Sequence, residues 1–265
     1  MSGFSADWLA LREPADHASV NRQIRDACVQ AFAGRPALRV VDLGSGTGSN
    51  LRNLSRVLGP RQHWTLVDYD ARLLDVARRR QSEAAAETVD YRQADLSAGA
   101  FAPVVTGADL VTASALFDLV SAAVIERLAE DVVALGAAFY TVLTYDGVAS
   151  WMPKHPADDA MRDAFNRHQQ TDKGFGPAAG PHATDRLAEA FERHGYSVQR
   201  GKSPWFLDDD FANLRHEVDR GWAGAAVEAG VDQATADAWL EHRKAADNAV
   251  TIVGHEDLLA LPPRR

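Results

Sequence analysis

The feature that most constrains this chain is a glycine-rich stretch that separates an apolar run from a helical pattern. The run Val40-Val41-Asp42-Leu43 favours a buried strand, because β-branched and aliphatic residues dominate such strands. Three glycines at alternate positions follow it, in Gly44-Ser45-Gly46-Thr47-Gly48. A helical stripe comes next, and it is formed by Leu51, Leu54, Val57 and Leu58. A strand, a glycine loop and a helix in this order place free backbone N–H groups against a ligand without a Cβ in the way.

The spacing of the glycines separates the ligands that such a loop can bind. Diphosphate dinucleotides are typical of G-x-G-x-x-G, but this loop has G-x-G-x-G, and Ser49 stands at the third dinucleotide position. Asp42 precedes the first glycine by two residues, and we expect its carboxylate at the mouth of the site. A carboxylate there repels a diphosphate and favours a cationic group. S-adenosylmethionine carries a nucleoside, a sulfonium and an ammonium group, and has no phosphate.

The run D-L-G-S-G-T-G resembles motif I of the class I, Rossmann-like S-adenosylmethionine-dependent methyltransferases. The resemblance implies an α/β fold with a doubly wound, seven-stranded, mostly parallel sheet in the order 3-2-1-4-5-7-6 and helices on both faces. It covers residues 38–145 and the last two strands. It also implies a set of cofactor-binding residues at this loop: Asp42, Gly44, Ser45, Gly46, Thr47 and Gly48.

A second acid follows the next predicted strand, His63–Asp68. Asp68 stands where nucleoside-binding folds place a carboxylate that accepts hydrogen bonds from both ribose hydroxyls. The resemblance assigns that role to Asp68 and implies that Tyr69 packs on the adenine. The alternative is that an acid here only caps the helix over 71–80, but Asp70 is the better candidate for that cap.

A third acid follows the predicted strand Thr88–Gln93. The resemblance implies that the carboxylate of Asp95 accepts a hydrogen bond from the exocyclic amine of adenine. It also implies that the backbone N–H of Leu96 reaches a ring nitrogen. The alternative is that Asp95 begins a helical turn.

The fourth strand, Asp109–Ser114, ends beside the first in this topology, where open α/β sheets bind ligands. The resemblance implies that the turn after it faces the methionine end of the cofactor and the methyl acceptor. Ser114 is a candidate contact to the methionine moiety. Asp118 is the candidate catalytic residue, which positions the acceptor or takes its proton; the alternative is an acid that stabilises a helix N-terminus.

Beyond the fifth strand, Ala138–Thr144, the sequence departs from a minimal domain of this kind. Asp146-Gly147 predicts a turn, after which Val148–Met152 is expected to pair back as a hairpin. The predicted organisation is a lid or helix over 1–35 and a methyltransferase domain over 36–265, with a substrate loop region over 150–183 and a helical insertion over 205–248 that caps the site.

A glycine- and proline-rich loop lies within the predicted substrate region. Long loops in compact domains often bind ligands, so Lys173, Phe175 and His182 are candidates for acceptor contact. A plain surface connection is the alternative. In the predicted lid, Arg12 is a candidate partner for the methionine carboxylate, and the alternative there is a solvated charge.

Composition excludes several classes of function. The net charge of −9 argues against a broad surface for nucleic acid or anionic membranes. The single cysteine, Cys28, excludes an intramolecular disulfide and a cysteine-built zinc site, and fits a reducing compartment. No histidine spacing matches a metal motif, so no metal is expected. The tryptophans are interpreted as core or homodimer contacts, and the expected location is cytoplasmic.

The predicted function is methyl transfer from S-adenosylmethionine to an oxygen or nitrogen of a small-molecule acceptor, which yields S-adenosylhomocysteine. Methyl transfer needs alignment of the acceptor and exclusion of water, and it needs a base only where the acceptor is protonated. One alternative is an NAD(P)-dependent oxidoreductase that uses the same first strand. A non-catalytic S-adenosylmethionine-binding module and an aminopropyl transferase are the others.

Overall fold

The computed structural model describes residues 4–59, 61–99 and 101–263, and its centre is one sheet of eight strands. The strands are β1 (Leu38–Leu43), β2 (Gln62–Asp68), β3 (Thr88–Gln93), β4 (Leu110–Ser114), β5 (Ala138–Met152), β6 (Ser197–Lys202), β7 (Trp205–Leu207) and β8 (Val250–Leu261). They lie in the order β3-β2-β1-β4-β5-β8-β6, and β7 pairs with β8. The predicted order is confirmed, with β8 in the place of the predicted seventh strand. The extra strand β7 has only three residues, too few for an alternating pattern to predict it.

Helices cover both faces of the sheet. They are α1 (Ala6–Ser19), α2 (Arg22–Ala31), α3 (Ser49–Leu54), α4 (Ala71–Arg79), α5 (Ala102–Val105), α6 (Ala122–Leu135), α7 (Asp158–Gln169), α8 (Ala183–Arg193), α9 (Ala212–Glu228) and α10 (Gln233–Ala245). Within the described ranges, none of them has the length and apolar character that a membrane-spanning helix needs.

The two cores follow from the alternation of side chains along the strands. On one face, Val40 of β1 packs in a cluster with Cys28 of α2 and Leu51 of α3. On the other face, Val41 packs in a cluster with Ile125 of α6 and further residues of α8. Because both faces are covered, the central strands β1 and β4 are mostly buried, whereas the edge strand β3 alternates and is largely exposed.

The predicted hairpin after the fifth strand is wrong. Strand β5 continues without reversal to Met152 and pairs antiparallel with β8, so that Ala149 faces Val253. The register shifts between Tyr145 and Ala149, which marks a bulge rather than a turn. Gly147 has a φ of 83°, and this left-handed backbone is what glycine supplies both in turns and in bulges. The pair Asp146-Gly147 therefore fits a bulge within β5 as well as the turn that the sequence predicted.

The second half of the β5–β8 ribbon projects beyond the carboxyl ends of the parallel strands, because β4 pairs with β5 only as far as Val142. Helices α7, α9 and α10 pack there around an aromatic cluster. The centre of the Trp151 ring lies 5.0 Å from the centre of the Trp222 ring and 5.3 Å from the centre of the Trp239 ring. Both partner rings are buried, so these tryptophans are core residues.

Candidate functional site

The predicted cofactor loop leaves β1 at the point where the strand order reverses. Leu43, the last residue of β1, pairs with Val67 of β2 on one side and with Ala113 of β4 on the other. The chain continues from β1 to β2 in one direction and later to β4 in the opposite one. Such a switch point opens a crevice at the carboxyl ends of the strands, where open α/β sheets bind ligands.

The backbone of the loop requires its glycines. Gly44, Gly46 and Gly48 have φ angles of 62°, 53° and 80°, a region that residues with a Cβ rarely adopt. A Cβ on Gly46 would lie 3.0 Å from the side chain of Leu9 in α1, and one on Gly44 would lie 3.1 Å from Leu116 in the turn after β4. The loop is therefore enclosed between α1 and that turn.

Asp68 lies at the end of β2, directly beside the loop. Its Oδ2 accepts a hydrogen bond from the backbone N–H of Gly46 at 2.7 Å, and its Oδ1 accepts one from the N–H of Asp70 at 2.9 Å. Burial raises the pKa of Asp68, and these N–H donors oppose that rise. Asp70 caps α4 by accepting a hydrogen bond from the N–H of Arg72, as predicted. Tyr69 lies between the two acids and is exposed.

Asp42 does not lie at the mouth of the crevice. It has no exposed surface, and its Oδ1 accepts a hydrogen bond at 2.8 Å from Asn50, which also donates to Thr112. Burial raises the pKa of Asp42 to about 7; Asn50 opposes the rise and the charge of Asp68 adds to it. The expectation of an open carboxylate failed because β1 has strands on both sides and helices over both faces, so Asp42 lies beneath the loop.

Several polar atoms around the loop are buried without a partner among the described residues. They include the hydroxyls of Ser45 and Thr47 and the second carboxylate oxygen of Asp42. A buried polar group without a hydrogen bond costs free energy, and such groups concentrate where ligands or ordered water bind. The loop therefore offers hydrogen-bonding capacity that the described protein atoms do not use.

The predicted adenine residues lie at the end of β3. Asp95 is exposed, and its Oδ1 accepts a hydrogen bond at 2.8 Å from the N–H of Ser97, so it caps a short 3-10 turn. This is the alternative role considered for Asp95, and it leaves the other carboxylate oxygen open to a ligand. Leu96 is buried, and the adenine roles of both residues stay predictions.

Asp118 lies in the 3-10 turn Phe117–Leu119, just after β4, and is 7% exposed. Its Oδ1 has no partner among the described residues. Burial raises the pKa of Asp118 to about 6, and the backbone N–H groups of Asp118 and Tyr145 and the charge of Arg12 oppose that rise. Ser114, the other residue predicted on this side, is half-buried at the end of β4. The turn thus holds a carboxyl group that can accept a proton near neutral pH.

The predicted substrate loop lies against the turn that carries Asp118. The N–H of Ala179 donates to the carbonyl of Val120 at 2.8 Å, and Phe175 packs against the core on that side. His182 ends a 3-10 turn that packs on β5 and on the Asp118 turn. Lys173 contacts a different element, because its Nζ lies 3.3 Å from Nδ1 of His168 in α7. Of the three candidates, Phe175 and His182 belong to segments beside Asp118.

Arg12 is not a solvated charge, and its role at the methionine carboxylate stays a prediction. It donates two hydrogen bonds to Asp16, at 2.9 and 3.1 Å, and its guanidinium lies 4.7 Å from the centre of the Trp205 ring in β7. The neighbouring stripe of α1 contacts the loop, through Leu9 and His17 directly and through Glu13 by way of Arg52. Sequence reasoning missed Glu13 and its partner Arg52, which are 39 residues apart. No local spacing signals a contact of that separation.

Comparisons with known proteins show which domain family and which solved structures this chain resembles. Residues 40–147 match a family model described as a methyltransferase domain. No curated protein matches the chain by sequence. Among solved structures, a SAM-dependent methyltransferase from Geobacter sulfurreducens, in complex with S-adenosyl-L-homocysteine, is 19% identical with a TM-score of 0.51 over 99% of this chain and 100% of that one.

Two further solved structures have the same fold. The YcgJ protein from Bacillus subtilis is 14% identical, with a TM-score of 0.52 over 92% of this chain and 100% of its own. A cyclopropane-fatty-acyl-phospholipid synthase-like protein from Lactobacillus casei is 17% identical, with a TM-score of 0.52 over 98% of this chain and 95% of its own. At these identities the likenesses establish the fold. Residues 40–147 therefore resemble a methyltransferase domain, and the described sheet has the α/β fold and strand order that the resemblance predicted.

Proposed function

We propose that this chain transfers a methyl group from S-adenosylmethionine to an oxygen or nitrogen of a small-molecule acceptor. The observation that supports this most strongly is the contact between Asp68 and Gly46 at the switch point of a sheet whose first half matches a methyltransferase domain. The fold neighbour from Geobacter sulfurreducens was crystallised with S-adenosyl-L-homocysteine, the product of such a transfer. The same ligand chemistry is proposed for the glycine loop of this chain.

The residues around the loop suit a nucleoside without phosphate. Each carboxylate oxygen of Asp68 accepts one backbone hydrogen bond and keeps a lone pair that a ribose hydroxyl can use. Tyr69, Asp95 and Leu96 form the proposed adenine side. The G-x-G-x-G spacing of the loop, with Ser49 at the third dinucleotide position, favours S-adenosylmethionine over a nicotinamide dinucleotide.

When bound, S-adenosylmethionine supplies an electrophilic methyl group, and its sulfur leaves as a neutral thioether. The work left to the protein is to align the acceptor and to exclude water. We assign the exclusion of water to the lid over 1–35 and to the insertion over 205–248, whose helix α9 packs on the projecting β5–β8 ribbon.

Asp118 is the proposed catalytic residue. Its carboxyl group lies in the turn after β4, which the resemblance assigns to the methionine end, and burial raises its pKa to about 6. A carboxylate with that pKa is ionised at neutral pH and accepts a proton from a hydroxyl or amine as the methyl group is transferred. Phe175 and His182 lie in segments that pack beside it, and we propose that these two contact the acceptor, while Ser114 contacts the methionine moiety of the cofactor.

The test is transfer of a labelled methyl group from S-adenosylmethionine to the metabolites of a cell extract. The proposal predicts a labelled small molecule whose formation requires the intact chain. Label in no metabolite, despite binding of the cofactor, would favour a non-catalytic S-adenosylmethionine-binding module instead. Mass analysis of the labelled product then identifies the acceptor and whether oxygen or nitrogen was methylated.

A further inference from the structure

We propose that Glu13 and Arg52 are positioning residues of the cofactor site, which hold helix α1 against the glycine loop while the cofactor is bound. This inference rests on the proposed function, because it concerns how long S-adenosylmethionine or its product stays at that loop. Neither residue touches the reacting atoms. Both act through the loop and through α1.

One face of α1 follows the loop from end to end. Leu9, Glu13 and His17 are spaced by four residues, so they lie on the same side of the helix. Leu9 is the side chain that a Cβ on Gly46 would meet at 3.0 Å. His17, one turn beyond Glu13, places its Nε2 3.0 Å from both the carbonyl and the hydroxyl oxygen of Ser49. This face therefore covers the loop over residues 46–49.

Arg52 connects this face to the backbone of the loop. Its Nε and Nη2 donate to the two carboxylate oxygens of Glu13 at 2.7 and 2.6 Å, and its Nη1 donates to the carbonyl of Thr47 at 2.6 Å. The side chain is 2% exposed. A guanidinium carries five N–H donors in a rigid plane, so a single Arg52 fixes both partners in one geometry. A shift of α1 and a shift of the loop are thereby coupled.

A second cation contacts the same carboxylate. Arg80, which follows α4, donates to Glu13 Oε2 at 2.7 Å and also pairs with Glu83. Burial disfavours the charged form of Glu13, but hydrogen bonds and charge from Arg52 and Arg80 outweigh it and lower the pKa. Glu13 thus stays charged and joins α1 to two helices, one after β1 and the other after β2. Those two strands carry the glycine loop and Asp68.

The arrangement has a kinetic consequence for the cofactor. Helix α1 covers the loop, and in this proposal the nucleoside binds beneath α1 and leaves only after α1 has moved away. Charged, bidentate hydrogen bonds are strongly directional. Removal of one partner of a buried ion pair leaves the charge of the other partner uncompensated. Loss of Glu13 should therefore free α1 and speed dissociation. Association should change little, since mutations at one binding site mainly alter dissociation rates.

The experiment compares dissociation of S-adenosylhomocysteine from the wild type and from Glu13→Gln. We expect dissociation from Glu13→Gln to be about tenfold faster, a loss of about 1.4 kcal/mol, with an association rate within about twofold. Amide hydrogen exchange of residues 6–19 in the presence of the ligand should also be faster in the variant. The control is Glu241→Gln, which removes an exposed carboxylate paired with Lys244, and it should match the wild type.

Arg80→Gln is the second variant, and it serves also where Glu13→Gln does not fold. Arg80 is partly exposed and the Glu13–Arg52 pair survives its loss, so we expect an intermediate increase in the dissociation rate. Wild-type dissociation rates in both variants, even with a lowered melting temperature, would overturn the inference and leave the proposed function intact. A wild type that binds no S-adenosylhomocysteine would overturn the proposed function, and the positioning role with it.

Discussion

The carboxylate of Asp68 accepts a hydrogen bond at 2.7 Å from the backbone N–H of Gly46, 22 residues earlier in the chain. This contact fixes the end of β2 against the glycine loop that follows β1. It also orients the carboxylate at the switch point of the sheet. The cofactor proposal depends on this relationship, because the same carboxylate is assigned to the ribose.

Replacing Asp68 with Ala should weaken binding of S-adenosylhomocysteine by about 1–3 kcal/mol. The variant loses the hydrogen bonds from the ribose hydroxyls to a charged carboxylate, and such bonds contribute free energies of this size. Titration calorimetry measures the change. The matched control is Asp70→Ala, which removes the neighbouring acid. That variant should lose about 1 kcal/mol of stability as a helix cap and keep its affinity. An unchanged affinity in Asp68→Ala would remove Asp68 from the site.

Replacing Gly46 with Ala should weaken ligand binding and destabilise the fold by about 1–2 kcal/mol, because a φ of 53° is strained for a residue with a Cβ. The new methyl group would also press on Leu9. The same substitution at Gly221, in α9, meets no atom within 4 Å and should stabilise the fold by about 0.5–1 kcal/mol. Urea denaturation of both variants checks the opposite signs. Equal effects would mean that the loop backbone is not constrained.

Asp42 should make the fold less stable as the pH rises. Its pKa is about 7 in the folded chain against an ordinary value of 3.8, so the folded chain binds this proton more tightly than the unfolded chain. Stability is therefore highest below the unfolded value and falls as the pH rises towards the folded value, by about 1.4 kcal/mol for each pKa unit. Asp118, Asp219 and Asp257, with pKa values raised to about 6, change stability in the same direction.

Asp42→Asn isolates the contribution of that residue, because an amide oxygen still accepts the hydrogen bond from Asn50. Urea denaturation at about pH 5 and about pH 8 should show a smaller loss of stability in the variant than in the wild type. The variant should also be the more stable of the two at the higher pH. Identical losses in the two proteins would contradict the burial of an ionisable Asp42.

Asp118→Asn should reduce kcat by roughly 10²-fold, the usual contribution of a positioned base, and leave the affinity for S-adenosylhomocysteine unchanged. In the wild type, kcat should rise with pH as Asp118 loses its proton near its pKa of about 6. The variant should lack that rise. A variant with wild-type kcat and the same pH profile would assign proton transfer to another group or to the solvent.

The sequence predicted what local patterns determine. Apolar runs and the glycine loop located β1, β2 and β4, an alternating pattern located β3, and the cap at Asp70 located the start of α4. The predicted strand order is confirmed. Each of these elements is determined by residues that are close together in the sequence, so it can be predicted without knowledge of the tertiary contacts.

Features that depend on distant residues could not be predicted. The contact between Glu13 and Arg52 joins residues 39 positions apart, and nothing in either local pattern indicates it. The direction of Asp42 depends on which elements cover β1, which becomes clear only in the assembled sheet. Asp146-Gly147 was misread because glycine serves a turn and a bulge equally well, and the partner strand β8 decides between them.

The most direct test of the central claim is a calorimetric titration of the wild-type chain with S-adenosylhomocysteine and, separately, with NADH. The account predicts saturable binding of S-adenosylhomocysteine at one site per chain and no binding of NADH. Binding of NADH instead, or no heat with S-adenosylhomocysteine at saturating concentrations, would contradict the assignment of the glycine loop and Asp68 to S-adenosylmethionine and its product.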